Sequence, residues 1–219
     1  MPLISERELA HIKQILDREM KYDVKLINFT QEFECMYCRE TRELVETLGR
    51  LSDKIKVEVY DFVKDANKAK EFGVDKIPAT IIMGEKDYGI RYYGVPAGYE
   101  FVSFLEDIID VSRRTTRLSK ASKDRLKAIN KPVHIQVFVT PTCPYCPRMV
   151  RLAHQFAMEN DLIRADMIES TEFPQLVSKY DVMAVPKVVI NDTITFEGAV
   201  SESSFIDYIM LALEEHEHT

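Results

Sequence analysis

The sequence predicts an α/β chain built from two tandem copies of one unit, each with a mixed sheet of about four strands and helices on both faces. Two observations lead to this prediction: strand-like and helix-like segments alternate, and two Cys-x-x-Cys motifs occur, at Cys35–Cys38 and at Cys143–Cys146. Alternation indicates parallel strand pairing, and a close strand pair late in each copy indicates an antiparallel hairpin. A chain of 219 residues has room for two domains.

The repeat is visible as a constant offset of 108 residues between the two halves. In each half, 43 positions separate the first cysteine of the motif from a proline. The positions related in this way are Cys35 and Cys143, Pro78 and Pro186, and the strand-like segments 79–83 and 187–191. We therefore predict an N-terminal domain at 1–116 and a C-terminal domain at 117–219, each with one cysteine motif.

In the first copy, apolar residues recur at helical spacing after the capping residue Ser5 and after the cysteine motif. Segments rich in β-branched and aromatic residues mark the strands, and Gly73 ends a short helix. The predicted elements are helix 5–20, strand 24–30, helix 39–51, strand 55–63, helix 65–72, strands 79–83 and 89–93, and helix 99–112.

The second copy repeats this order after a polar, basic segment over 111–122, which we interpret as the connection between the copies. His154 falls in its second helix, and we expect this side chain on the solvated face. The predicted elements are helix 119–129, strand 133–140, helix 147–159, strand 162–168, helix 173–180, strands 187–190 and 194–196, and helix 201–214.

Composition excludes several classes of function. A net charge of −7 argues against a nucleic-acid-binding surface, and no apolar run approaches the roughly 20 residues of a membrane helix. The first 20 residues carry charges throughout and have no small-residue cleavage site, so we expect a cytoplasmic protein without a signal peptide. Five Asn and five Gln beside 21 Glu are typical of a thermophile. In the cytoplasm, Cys-x-x-Cys indicates redox chemistry or a metal site.

The order of strand, Cys-x-x-Cys, helix, strand, helix, and then an apolar residue and a proline before a hairpin resembles the thioredoxin fold. The motif Cys143-Pro-Tyr-Cys146 resembles the glutaredoxin active site. Two such units in one chain resemble the protein disulfide oxidoreductases of thermophilic archaea and bacteria. This resemblance implies two tandem thioredoxin-like domains, protein disulfides or thiols as substrates, and an NADPH-dependent thioredoxin-reductase-like flavoprotein as electron donor. It implies no cofactor bound to the chain itself.

Disulfide exchange needs a thiolate, and a free thiol has a pKa near ~8.5. A cysteine at a helix N-terminus lies beside unpaired backbone N–H groups and the positive end of the helix dipole, which lowers its pKa. We therefore predict that Cys35 and Cys143 are the exposed nucleophiles. Cys38 and Cys146, one helical turn below, are the predicted buried resolving thiols.

The resemblance also identifies the two matched prolines with the family's cis-proline, which faces the cysteine motif. The backbone of the preceding residue would pair with an extended substrate segment, as in strand addition. A tyrosine inside each motif is expected at the rim, in contact with substrates. The predicted substrate-binding residues are Ile77, Pro78, Val185, Pro186, Tyr37 and Tyr145.

The two sites differ from each other and from their relatives. Glu34 precedes Cys35 whereas Thr142 precedes Cys143, and a like charge beside a thiolate disfavours it, so we expect Cys143 to be the faster nucleophile. Thioredoxin and protein disulfide isomerase domains bury an acid six residues before the first cysteine. Here Phe29 and Val137 occupy those positions, so the sequence identifies no proton acceptor for the resolving cysteines.

Three alternatives stay open at this stage. The chain also resembles glutathione-dependent glutaredoxins, although the Gly-Gly turn and acid that hold glutathione are not matched after either hairpin. A dedicated electron carrier from a flavoprotein reductase to a peroxidase would use the same cysteines. The four cysteines could instead hold zinc in a binding module, which would require the two motifs to face each other.

Overall fold

A computed structural model of the protein describes residues 4–215. Every predicted helix and strand is present, with ends shifted by at most two residues. The first half contains α1 (Glu6–Glu19), β1 (Val24–Thr30), α2 (Cys38–Leu51), β2 (Ile55–Asp61), α3 (Ala66–Glu71), β3 (Ala79–Met83), β4 (Asp87–Tyr93) and α4 (Glu100–Arg113). The second half contains α5 (Lys120–Lys127), β5 (Val133–Val139), α6 (Cys146–Glu159), β6 (Ile163–Glu169), α7 (Pro174–Lys179), β7 (Lys187–Ile190), β8 (Ile194–Glu197) and α8 (Glu202–Glu215).

The eight strands form one sheet in the order β2-β1-β3-β4-β6-β5-β7-β8. Each half contributes four strands with the predicted mixture of parallel and antiparallel pairs. The halves are joined by parallel pairing of β4 with β6, from Ile90 opposite Ala165 to Tyr93 opposite Ile168. The sequence did not predict this junction, which makes two four-stranded sheets continuous.

Five strands point the same way, because β4 and β6 are parallel and each half repeats the same internal order. Their carboxyl ends therefore lie along one edge of the sheet. We call this the carboxyl edge and define it by the last residues of β1, β2, β4, β5 and β6, namely Thr30, Asp61, Tyr93, Val139 and Glu169. The loops and helix starts that follow these strands lie there too.

Two hydrophobic cores hold the layers together, which agrees with the predicted helices on both faces. The larger core joins one face of the sheet to α1, α2, α4, α5, α6 and α8, and contains the fully buried Leu48, Phe104 and Phe156. The smaller core includes Phe29 and Phe138 and receives residues of α3 and α7. Full burial of such a side chain stabilises the fold by roughly 1.5–3 kcal/mol.

His154 is buried between the two halves, so the expectation of a solvated histidine is wrong. Its Nδ1 lies 2.6 Å from an Asp107 carboxylate oxygen on α4, and Asp107 also accepts from Tyr92 and Arg151. Arg151 pairs with Asp110 as well. Although burial opposes it, the charges of Arg151 and His154 hold the pKa of Asp107 below its usual range. Contact between α4 and α6 removes this face of α6 from water, which helix periodicity alone does not reveal.

In the described part of the chain, no helix combines the length and apolar character needed to cross a membrane.

Candidate active sites

Both cysteine motifs lie on the carboxyl edge. Cys35 follows β1 and Cys38 is the first residue of α2, while Cys143 follows β5 and Cys146 is the first residue of α6. Strands β3, β4 and β6 separate β1 from β5 in the sheet. With a strand spacing of ~4.8 Å, the two motifs are roughly 19 Å apart on the same edge.

Each motif forms its own disulfide. The Cys35–Cys38 and Cys143–Cys146 pairs both have Cα–Cα separations of 5.5 Å, as a disulfide requires. The zinc alternative would need the two pairs to converge. Among residues 4–215, no three His, Cys, Asp or Glu side chains are placed to hold one metal ion.

The C-terminal site surrounds the sulfur of Cys143 with backbone groups. The N–H of Cys146 donates to Cys143 Sγ over 3.1 Å, and the carbonyl oxygen of Val185 lies 3.8 Å from the same sulfur. Cys146 is fully buried, as predicted. Cys143 is only 7% exposed, so the expectation of an exposed first cysteine is wrong for this site, because the strand before the hairpin covers its sulfur.

The N-terminal site is more open. Cys38 is fully buried and Cys35 is half-buried, in the order the sequence predicts. Glu34 has a φ of 58°, a left-handed conformation that is uncommon outside glycine. Phe33 and Met36 on either side are exposed. Within the described residues, no backbone N–H donates to Cys35 Sγ, so the hydrogen bond seen at the second site has no counterpart here.

Each site faces a cis peptide bond, and the two hairpins share one geometry. The carbonyl oxygen of Pro78 accepts from Gly94 N–H over 2.9 Å, and that of Pro186 accepts from Gly198 N–H over 2.9 Å. Both glycines have positive φ angles. The cis bonds are Ile77–Pro78 and Val185–Pro186, which places all four predicted backbone positions beside the motifs.

The tyrosine inside each motif lies directly before the helix. Tyr37 is the N-cap of α2 and Tyr145 is the N-cap of α6. Tyr145 is 67% exposed, whereas Tyr37 is at the border between exposed and half-buried. Both rings are therefore accessible at the rim of their sites.

A buried acid that the sequence did not identify lies near the C-terminal site. Glu100, in the first turn of α4, is 1% exposed, and neither carboxyl oxygen has a hydrogen-bond partner among the described residues. Burial raises the pKa of this carboxyl to about 8, and the negative charge of Asp107 adds to the effect. An acid sought only on the strand before the motif is missed, because this one comes from a helix of the other copy.

Contacts between α4 and α6 place Glu100 near the C-terminal motif. Arg151 and His154 contact Asp107 and Asp110 at sequence offsets of 41 to 47 residues, and the helices run in the same direction. The same offset puts Glu100 level with residues 141–147. Consistently, the N–H of the preceding residue, Tyr99, donates to the carbonyl oxygen of Pro141 over 3.0 Å.

A second acid connects the copies at the N-terminal site. Glu172 follows β6, and its Oε1 accepts from Val95 N–H over 2.8 Å. Val95 follows Gly94, which is bonded to the cis-proline of the first copy. Burial raises the pKa of the Glu172 carboxyl to about 7, with further contributions from the charges of Glu169 and Glu40.

Comparison with known proteins agrees with this geometry. Residues 133–211 match the family model of a thioredoxin domain. The structure is similar to a protein disulfide oxidoreductase from Aeropyrum pernix, with a TM-score of 0.91 and 32% identity, covering 96% of this chain and 94% of that one. The alkylhydroperoxide reductase component AhpF of Enterococcus faecalis has the same fold, with a TM-score of 0.87, 22% identity, and coverage of 94% and 99%.

Two curated relatives are longer proteins. An NADH dehydrogenase of Bacillus subtilis is 30% identical over 148 residues, which is 68% of this chain and 27% of that protein. The F component of the alkyl hydroperoxide reductase of Staphylococcus epidermidis is 28% identical over 152 residues, or 69% and 27%. The matched part of this chain thus spans about a quarter of the length of these curated relatives.

Proposed function

Since this chain belongs to the protein disulfide oxidoreductase family, we propose that it exchanges disulfides and thiols in protein substrates at both cysteine motifs. The observation that carries the proposal is the C-terminal disulfide. It opens a buried helix, its first sulfur accepts a backbone N–H, and a cis-proline segment faces it. This combination stabilises a thiolate and leaves room for an extended substrate.

In the reducing direction, the Cys143 thiolate attacks one sulfur of a substrate disulfide. A bond forms between Cys143 and that sulfur, and the other substrate sulfur leaves as a thiolate. Cys146 then attacks Cys143 Sγ, which closes the disulfide seen here and releases the second substrate thiolate. Two electrons pass from the protein to the substrate, and the reverse sequence oxidises a substrate dithiol. Cys35 and Cys38 have the same roles in the first copy.

Backbone groups before each cis-proline would hold the substrate. The half-buried Val185 directs its carbonyl oxygen towards Cys143, and Ile77 holds the matching position in the first copy. An extended substrate can pair with these backbones as an added strand. The rings of Tyr145 and Tyr37 lie beside this path and supply apolar contact.

We propose that Glu100 accepts the proton of Cys146 in the second step. Its carboxyl is buried level with the C-terminal motif and has no hydrogen-bond partner among residues 4–215. A group with a pKa of about 8 can take a thiol proton and return it near neutral pH. This assignment fills the place of the acid that Phe29 and Val137 exclude from the strands.

Cys143 is the proposed faster nucleophile. Its sulfur accepts the Cys146 N–H, and no acidic residue directly precedes it. Cys35 follows Glu34 and has no such backbone donor in the described part of the chain. Because these differences act on the thiolate and not on the thiol, they lower the pKa of Cys143 relative to that of Cys35.

The proposed electron donor is an NADPH-dependent flavoprotein of the thioredoxin-reductase type. Relatives named as an NADH dehydrogenase and as a component of alkyl hydroperoxide reductase support coupling to a nicotinamide-dependent reductase. The latter name also favours a second candidate function, that of a dedicated carrier from such a reductase to a peroxidase. A carrier would reduce one partner quickly and general protein disulfides slowly, whereas a glutathione-dependent enzyme would need glutathione in a coupled assay.

Trapping of the mixed disulfide tests the proposed chemistry. In a Cys146→Ser variant the second step is blocked, so Cys143 stays bound to a disulfide-containing protein such as insulin. We expect a covalent adduct that is visible by mass under non-reducing conditions and is absent in a Cys143→Ser/Cys146→Ser variant. No adduct in the trapping variant, with Cys143 shown to be reduced, would refute the function.

A further inference from the structure

Exposed apolar side chains are concentrated on the carboxyl edge. Among the described residues, eleven large apolar side chains are exposed, and only Tyr22, Leu162 and Leu211 lie elsewhere. The others belong to loops or first helical turns at the carboxyl ends of the parallel strands, or to the loop that enters β7. They are Phe33, Met36, Tyr37, Val63, Tyr99, Val102, Tyr145 and Met183.

Two of these residues lie between the disulfide sites. Tyr99 is 51% exposed and Val102 is 56% exposed, and both belong to the start of α4, which follows β4. Strand β4 lies between β1 and β5 in the sheet. The start of α4 therefore fills the part of the carboxyl edge that separates the N-terminal motif from the C-terminal one.

Val102 contacts the surroundings of both sites. On one side it lines a depression of about 370 Å³ together with Pro147 and Arg148, in the first turn of α6. On the other side it lines a groove of about 1280 Å³ that includes Leu44 of α2 and the loop through Val95. The apolar surface is therefore continuous from one cysteine helix to the other.

The bridging segment is held in place at both ends. Gly94 N–H donates to the cis-proline Pro78 of the first site, and Tyr99 N–H donates to Pro141, two residues before Cys143. These backbone bonds fix where the side chains of Tyr99 and Val102 lie relative to both disulfides. A fixed apolar bridge binds a partner at a lower entropic cost than a mobile one.

We infer that the carboxyl edge is one docking surface, on which a single extended polypeptide with exposed apolar side chains contacts both disulfide sites and the bridge of Tyr99 and Val102. The inference rests on the proposed function. The span of roughly 19 Å corresponds to about six extended residues. Met36 and Met183, one near each site, are strongly exposed, and flexible methionine surfaces accept varied apolar sequences.

Kinetics with two peptides test this surface. Each peptide carries one cysteine as a mixed disulfide with nitrothiobenzoate; one has about 20 residues with apolar side chains, and the other has three. Free dithiobis(nitrobenzoate) is the small disulfide. For wild type, we expect the long peptide to have a KM roughly 10-fold below that of the short one, because only the long peptide reaches the bridge.

Two variants remove the bridge, and one is a matched control. In Tyr99→Ser/Val102→Ser, and in Val102→Asp alone, we expect the KM of the long peptide to rise towards that of the short one. The kcat for all three substrates and the rate with dithiobis(nitrobenzoate) should stay unchanged. Leu162→Ser/Leu211→Ser removes two exposed apolar side chains away from the carboxyl edge and should behave as wild type.

The outcomes separate this inference from the proposed function. A long-peptide KM that is unchanged in both bridge variants, with wild type active on all three substrates, would overturn the docking surface alone. A wild-type protein that reduces none of the substrates would overturn the proposed function instead.

Discussion

Glu172 of the second copy accepts a hydrogen bond from the backbone of Val95, next to the cis-proline loop of the first copy. The N-terminal site is therefore completed by a residue from the other half of the chain. At the C-terminal site the contribution is reversed, because Glu100 and Tyr99 of the first copy lie against the second motif. Together with the pairing of β4 and β6, these contacts make the two sites parts of one structure.

Glu172→Gln should change how stability depends on pH. The folded state raises the Glu172 pKa from 4.5 to about 7, so the carboxyl is protonated when folded and ionised when unfolded between these values. Wild-type stability therefore falls as pH rises through this window. The variant cannot ionise, and relative to wild type we expect it to gain roughly 1–3 kcal/mol between pH 5 and 8, after a discount for partial exposure.

Urea unfolding at several pH values measures this difference. Glu32→Gln removes the same charge from an exposed position and should leave the pH dependence as in wild type. Parallel curves for Glu172→Gln and wild type across the window would show that Glu172 ionises normally.

Glu100→Gln should slow the resolving step. The amide keeps the size of the side chain but cannot take the proton of Cys146, so we expect kcat/KM for a protein disulfide to fall roughly 10-fold or more near pH 7. The wild-type pH profile should contain an inflection near the Glu100 pKa of about 8, and the variant profile should lack it. Loss of activity with an unchanged profile would assign Glu100 a purely structural role.

Cys143 should react faster than Cys35 at low pH. The comparison uses variants that keep one cysteine each, with the other three replaced by serine. We expect iodoacetamide to alkylate Cys143 roughly 10-fold faster at pH 6, since a pKa one unit lower gives about ten times more thiolate there. Equal rates, or a faster Cys35, would contradict the proposed difference between the sites.

Arg151→Leu should destabilise the contact between the copies. The change leaves Asp107 and Asp110 buried without their guanidinium partner, which costs about 3–5 kcal/mol. Denaturant unfolding gives the loss directly. Arg148→Leu, three residues earlier on the exposed side of α6, is the control and should cost less than about 1 kcal/mol. Similar losses in both variants would show that the buried pairs do not stabilise the fold.

Local patterns predicted the elements, the disulfide motifs and the cis-proline positions, because spacing along the chain encodes them. The capping box at Ser5 is one example, since Glu8 returns the hydrogen bond as its position suggests. The pairing of β4 with β6 was not predictable in this way, because an exposed edge and a paired edge have the same alternation. His154 and Glu100 were misjudged or missed for the same reason: their environment comes from the other copy.

Insulin reduction driven by dithiothreitol tests the central claim most directly. The assay compares wild type with Cys35→Ser/Cys38→Ser and Cys143→Ser/Cys146→Ser. We expect wild type to accelerate precipitation, the first variant to keep much of this activity and the second to lose most of it. Wild-type protein that precipitates insulin no faster than dithiothreitol alone would contradict the account.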